Sequence, residues 1–109
     1  MKSTLFYSIV IVTSLLFSVV SHAEEYVITL KNKNFSPNDL SIPAGHRVKI
    51  TVKNQDEYPA EFESSDLNRE KLLPAKRAVT LYIGPLDIGS YSYCDDSHCD
   101  RTKGLITSK

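Results

Sequence analysis

An all-β sandwich or barrel is the fold class this sequence predicts. Beyond residue 24 the chain divides into short stretches in which apolar and polar residues alternate, the two-residue period of a half-buried strand. Turn residues stand between those stretches at regular intervals, as in Pro43-Ala44-Gly45 and Pro85 to Gly89. No internal repeat, low-complexity tract or linker interrupts them, so about seven short strands must build one small domain with a modest core.

The first 23 residues stand apart from that domain. Lys2 supplies a positive start, Leu5 to Val20 is an apolar run, and Ser21-His22-Ala23 places small residues at −3 and −1 of a cleavage point. That pattern predicts a secretory signal peptide over 1–23, a folded domain over 24–109, and a periplasmic or secreted location. The run is short for a bilayer and no stop-transfer charges follow it, so no membrane insertion is expected once the signal is removed.

The domain reads in order as follows. Glu25 to Lys31 alternates, with Tyr26, Ile28 and Leu30 on one face. Asn32 to Asp39 is a polar stretch around Phe35 and Pro37, and Leu40 to Ile42 is a short strand. His46 to Lys53 alternates cleanly, with Val48, Ile50 and Val52 inward. After a loop to Pro59, Ala60 to Glu63 is a short strand around Phe62. Asp66 to Leu73 is expected to form a helical turn ended by Pro74. Ala78 to Ile83 is a strand, Tyr91 and Tyr93 begin another, and Gly104 to Thr107 closes the chain. Gly89-x-Tyr91 ahead of a strand predicts a tyrosine corner, the phenol bonding back to nearby backbone.

Composition excludes several function classes. The full chain has 13 basic and 13 acidic residues, and Lys2 is the one charged residue in the signal, so the mature domain is slightly acidic. Such a domain has no electrostatic case for nucleic acid or an anionic membrane. A strained nucleophile elbow and a Gly-rich phosphate loop are both missing, so an enzyme is not expected. The mature chain keeps His46, His98, Cys94, Cys99 and no Met. Its most chemically dense segment is Cys94-Asp95-Asp96-Ser97-His98-Cys99-Asp100, which carries two thiols, an imidazole and carboxylates between two strands. Such a loop is a candidate metal site and equally a candidate for a disulfide, which an oxidising compartment would allow.

The strand pattern, Ile42-Pro43-Ala44-Gly45 ahead of an alternating strand, and Gly89-x-Tyr91 … His98 … Lys103-Gly104-Leu105 together resemble the cupredoxin-like family, a Greek-key β-sandwich. Glu61-Phe62-Glu63, Arg69-Glu70-Lys71, Gly84-Pro85-Leu86 and Asp96-x-His98 are similar to segments of its small periplasmic members associated with bacterial iron-uptake permeases. The resemblance implies a metal ion as ligand, copper as Cu(II) first and iron second. It also implies a membrane metal permease or a redox protein as partner.

The departures from that family are as informative. Blue-copper members hold the metal with two His, one Cys and usually a weak axial Met. Here Ala60-Glu61 stands near the first His position, Asp95 falls on the Cys position, and Thr102 holds the Met slot. Cys94 is one residue early, and a one-residue shift along a strand points a side chain to the opposite face. In the relatives the Cys94 position is usually aromatic and the Cys99 position a proline, which suggests that these cysteines bond each other. The alternative, Cys94 as a thiolate ligand beside His98, stays open.

The expected ligands are therefore His98, Glu61, Glu63, Asp96 and Cys94, with a Cys94–Cys99 disulfide competing for the last. Asp95 and Asp100 are read as solvent-facing, and Glu70 as a solvated charge on the helical turn. Three functions follow. One is an exported metal-binding protein serving metal uptake or redox handling. The second is a copper electron-transfer protein using Cys94 and His98. The third is a metal-free, disulfide-locked partner-binding module.

Overall fold

The structure, a computed structural model, describes residues 25–109, so the signal-peptide expectation lies outside the described residues. Nine strands and one 3-10 turn follow in order. They are β1 (Glu25–Lys31), β2 (Asn34–Ser36), β3 (Asp39–Ile42), β4 (Val48–Asn54), β5 (Ala60–Ser64), β6 (Arg69–Leu73), β7 (Ala78–Ile83) and β8 (Gly89–Asp95). The turn Asp96–His98 and β9 (Lys103–Ser108) complete the chain. One sheet has the order β2-β1-β4-β7, the other β3-β9-β8-β5-β6. β1 runs parallel to β4 and β3 to β9, and the other pairs are antiparallel.

The alternation seen in the sequence decides which face is buried. β4 buries Val48, Ile50 and Val52, and β1 opposes them with Ile28 and Leu30. The second sheet supplies Leu40, Ile42, Phe62, Leu73, Tyr93 and Ile106 to the same core. At one end Tyr93 stacks on Phe62 at 4.8 Å between ring centroids and meets Phe35 edge-on at 4.9 Å. A Cβ at Gly104 would overlap the Tyr93 ring, so only glycine fits there. Tyr91 Oη donates to Asp87 O at 3.0 Å, the expected tyrosine corner.

Two strands exceed the sequence expectation. β2 pairs with β1 across Asn32-Lys33, whose φ values of 50° and 59° are those of a primed two-residue hairpin turn. Both Asp56 carboxylate oxygens satisfy the amides of that turn, at 2.6 Å from Asn32 N and 2.9 Å from Lys33 N. The sequence lacks the usual Asn-Gly signal, and the stabilising residue lies 24 positions away.

β6 replaces the helical turn expected over Asp66–Leu73. The segment turns back at Asn68, φ 51°, and Leu67 N donates to Ser64 Oγ at 3.0 Å. Asp66 then binds Ser92, accepting from its N at 2.8 Å and its Oγ at 2.9 Å. With both ends of the turn tied to strands, Arg69–Leu73 pairs with β5 as an edge strand. Only Leu73 of β6 is buried, so the strand shows no alternation for a sequence reading to find.

Candidate metal centre

Register on β5 determines what faces outward. Ala60, Phe62 and Ser64 are buried, which leaves Glu61 and Glu63 on the outer face of the second sheet. Glu70 of β6 lies directly across from Glu63. Two like charges facing each other destabilise a sheet. The arrangement is extended further: Glu61 hydrogen-bonds Glu70, and Glu63 hydrogen-bonds Asp96 on the 3-10 turn. Four carboxyl groups from three elements thus share one patch. Among the described residues no Lys or Arg forms an ion pair with any of them.

That crowding holds protons. The Glu61 carboxyl is pushed up to about 7 by its hydrogen bond to Glu70, then by partial desolvation, then by the charges of Glu70, Asp96 and Glu63. Glu63 is raised as well, first by its hydrogen bond to Asp96 and the charge of that group. Each of these hydrogen bonds favours the protonated form of its glutamate.

Cys94 also lies on this face. It sits across the ladder from Glu63, and its sulfur is bonded to Cys99, with Cα atoms 5.0 Å apart. A Glu63 carboxylate oxygen and the two sulfurs lie within 4.8 Å of one another. The disulfide leaves Cys94 without a free thiol.

The inner side of the same strands is different. Asp95 is buried at 5 % exposure, which corrects its expected solvent-facing position. It ends β8 with its side chain turned to the interior, where Oδ1 accepts from Glu61 N at 3.0 Å and from Ser97 N at 3.4 Å. Its own N donates to Thr102 O at 3.1 Å. Ala60, Asp95 and His98 line one pocket of about 220 Å³ with Tyr58, Pro59 and Lys33. Thr102 is buried, and its Oγ1 has no hydrogen-bond partner among the described residues. His46 precedes β4 at the opposite end of that strand from Asn54, a strand length of roughly 20 Å away.

A family model for the cupredoxin-like domain matches residues 4–107. This chain belongs to the cupredoxin-like family. An uncharacterized protein of Rickettsia prowazekii (strain Madrid E) is 34% identical over 82 residues, 75% of this chain and 66% of that protein. The match thus spans just under two thirds of the relative's length. A purple cupredoxin from Nitrosopumilus maritimus superposes with a TM-score of 0.61 at 25% identity, over 77% of this chain and 99% of the other. Auracyanin A, a blue copper protein of Chloroflexus aurantiacus, gives a TM-score of 0.69 at 15% identity, over 81% and 100%.

The blue-copper donor set of the family does not fit this cupredoxin domain. Ala60 offers no donor, and the only cysteines point outward as a disulfide. Asp95, in the place of the thiolate, has an oxygen already engaged by two backbone amides. A buried hydroxyl replaces the axial thioether at Thr102.

Of the expected ligands, Glu61, Glu63 and Asp96 share one patch, with Glu63 bonded to Asp96, and Cys94 lies beside Glu63 as an oxidised sulfur rather than a thiolate. His98 faces the pocket with Asp95, which none of the clustered carboxylates lines. Glu70 is solvent-exposed as expected, but on a strand rather than a helical turn, and it is hydrogen-bonded to Glu61. The signal that would have found it is the symmetric placement of Glu63 and Glu70 about a hairpin loop over Ser65–Asn68.

Proposed function

We propose that this cupredoxin-fold protein binds a metal cation on the outer face of its second sheet, through Glu61, Glu63, Glu70 and Asp96. The observation that carries this reading is four carboxyl groups brought onto one patch as two hydrogen-bonded pairs, with no ion pair to a Lys or Arg among the described residues. Natural sequences break local pairing rules chiefly where function requires it, and Glu63 opposite Glu70 is such a break. An all-oxygen donor set is hard, which favours Cu(II) or an iron ion over Cu(I). Copper is the first choice because copper is what the fold most often carries.

The site is open to solvent, so exchange of the ion is easy. That suits capture and delivery of a cargo ion better than electron transfer through a rigid thiolate centre. The reading includes export to an oxidising compartment, for which the N-terminal apolar run and the disulfide are the support. Its finer form makes the protein a periplasmic carrier that serves a membrane metal permease or a redox partner. Electron transfer through Cys94 and His98 loses support from the oxidised state of Cys94 and the separate pocket of His98.

Cu(II) titration followed by calorimetry and visible absorption tests the reading. The wild type is expected to bind one ion with weak d–d absorption and no intense charge-transfer band. Glu61→Gln/Glu63→Gln is expected to weaken binding by roughly 100-fold, about 2.7 kcal/mol. His98→Ala is expected to stay within roughly threefold of wild type. The opposite ranking of the two variants would move the site to His98.

A further inference from the structure

The disulfide lies against the carboxylate face, and Glu63 reaches it. Among the described residues, Glu63, Cys94 and Cys99 are the one trio of His, Cys, Asp or Glu ligand atoms that lie mutually within 4.8 Å. We propose that reduction of Cys94–Cys99 turns this corner into a second metal site, built from two thiolates and the Glu63 carboxylate. It would take a soft or borderline cation such as Zn(II), Cd(II) or Cu(I). The inference stands on this trio and does not require the carboxylate cluster to bind metal.

Spacing and anchoring support it. Cys94 and Cys99 are five positions apart, a Cys-x4-Cys spacing within the range that chelates zinc. Cys94 is fixed on β8, in register with Glu63 of β5, so these two donors are positioned by the sheet. Cys99 is held by backbone bonds that do not depend on the S–S bond. Thr102 N donates to His98 O at 2.8 Å, Arg101 N to the same oxygen at 2.9 Å, and Asp95 N to Thr102 O at 3.1 Å. The loop therefore keeps its course when the sulfurs part. A groove of about 440 Å³, lined by Glu63, Cys94, Cys99 and Lys103 among others, gives a reductant and an ion access.

The reducing agent is a dithiol, such as an exported dithiol–disulfide oxidoreductase. Its thiolate attacks one sulfur of the pair, and its second thiol resolves the mixed disulfide. The donor leaves as a disulfide, two electrons poorer, and Cys94 and Cys99 each take up a proton. A divalent cation then displaces both protons and binds two thiolates and the carboxylate. On the reading proposed above for the carboxylates, Glu63 would belong to both donor sets, and the redox state would select which class of ion the face holds: hard when oxidised, soft when reduced.

Cd(II) is the probe, because thiolate ligation gives it an intense ultraviolet charge-transfer band. The chain is titrated after reduction with a phosphine and again in its oxidised form. The reduced protein is expected to bind one Cd(II) with a band worth two thiolates, and the oxidised protein to show none. Cys99→Ser should halve the band. Glu63→Gln should keep the band and weaken binding by roughly tenfold or more, the loss that even a supporting group gives. Circular dichroism of the reduced protein is recorded in parallel. Loss of the fold on reduction, a folded reduced protein without the band, or unchanged affinity in Glu63→Gln would each overturn the proposal. Cu(II) binding by Cys94→Ser/Cys99→Ser reports the carboxylate site separately, so failure of one site is distinguishable from failure of the other.

Discussion

The outer and inner faces at the end of β5 and β8 carry opposite solutions to the same strand geometry. On the outer face, Glu61, Glu63, Glu70 and Asp96 crowd together, and their hydrogen bonds and charges raise the Glu61 and Glu63 carboxyls. On the inner face, Asp95 is a single buried carboxylate with its oxygen held by two amides. Neighbouring residues of one strand, Cys94 and Asp95, are separated into these two environments by the two-residue period alone. The first face gathers like charges, whose repulsion a bound cation would relieve. The second is satisfied and stabilises the loop. A shift of one residue is therefore enough to move the reactive groups of a cupredoxin from its interior end to the surface of a sheet.

The largest effect on stability should come from the outward-facing member of that pair. Replacing the disulfide with Cys94→Ser/Cys99→Ser reopens a loop of about six residues, worth about 2 kcal/mol by loop entropy. Chemical denaturation measures it. Cu(II) affinity should remain within roughly threefold of wild type, since no carboxyl group is removed. A stability loss well below this would show that the backbone bonds around His98 already hold the loop.

How much of this contrast the sequence contained depends on the residue. The alternation of β1, β4 and β7 was legible because each buries one side against a common core, and the one-residue displacement of Cys94 could be read from the spacing itself. The outward direction of Glu61 and Glu63 followed from Phe62 between them. The partners of these groups were not legible. Glu70 meets Glu61 only because Asp66 and Ser64 tie a hairpin turn to Ser92, bonds between residues 26 and 28 positions apart. Asp95 looked like one more solvated acid in an acidic loop. Its burial is set by the Glu61 amide, 34 positions away. His98 appeared central because it is the imidazole nearest the acids in sequence, yet the 3-10 turn directs Asp96 and His98 to different sides.

The inward member of the pair gives an effect of similar size. Asp95→Ala leaves the Glu61 and Ser97 amides without their acceptor, at about 1–3 kcal/mol for an unsatisfied buried donor. Asp95→Asn keeps an amide oxygen in the same place and should recover most of that loss. If the asparagine variant is as unstable as the alanine one, the negative charge matters there beyond hydrogen bonding, and the inner face is less settled than the contrast implies.

The smallest effect is a pH slope, and its sign separates the two kinds of carboxylate. Glu61 binds its proton more tightly in the folded state, at about 7, than its ordinary value of 4.5. Its stabilising contribution is thus complete below about pH 4.5 and is lost as pH rises through about 7. Asp66, lowered from 3.8 by the Ser92 amide and hydroxyl, acts in the other direction and loses its contribution only in acid. Between about pH 5 and about pH 8 the outer cluster therefore dominates, and the melting temperature should fall as pH rises. Glu61→Gln should flatten this slope, because its amide can still donate to Glu70 without ionising. Saturating Cu(II) should flatten it too, by replacing the protons as the balancing charge. A wild-type melting temperature that does not fall across this range would mean that the four carboxyl groups stand further apart in solution, and the contrast between a charged outer face and a settled inner one would fail at its stronger end.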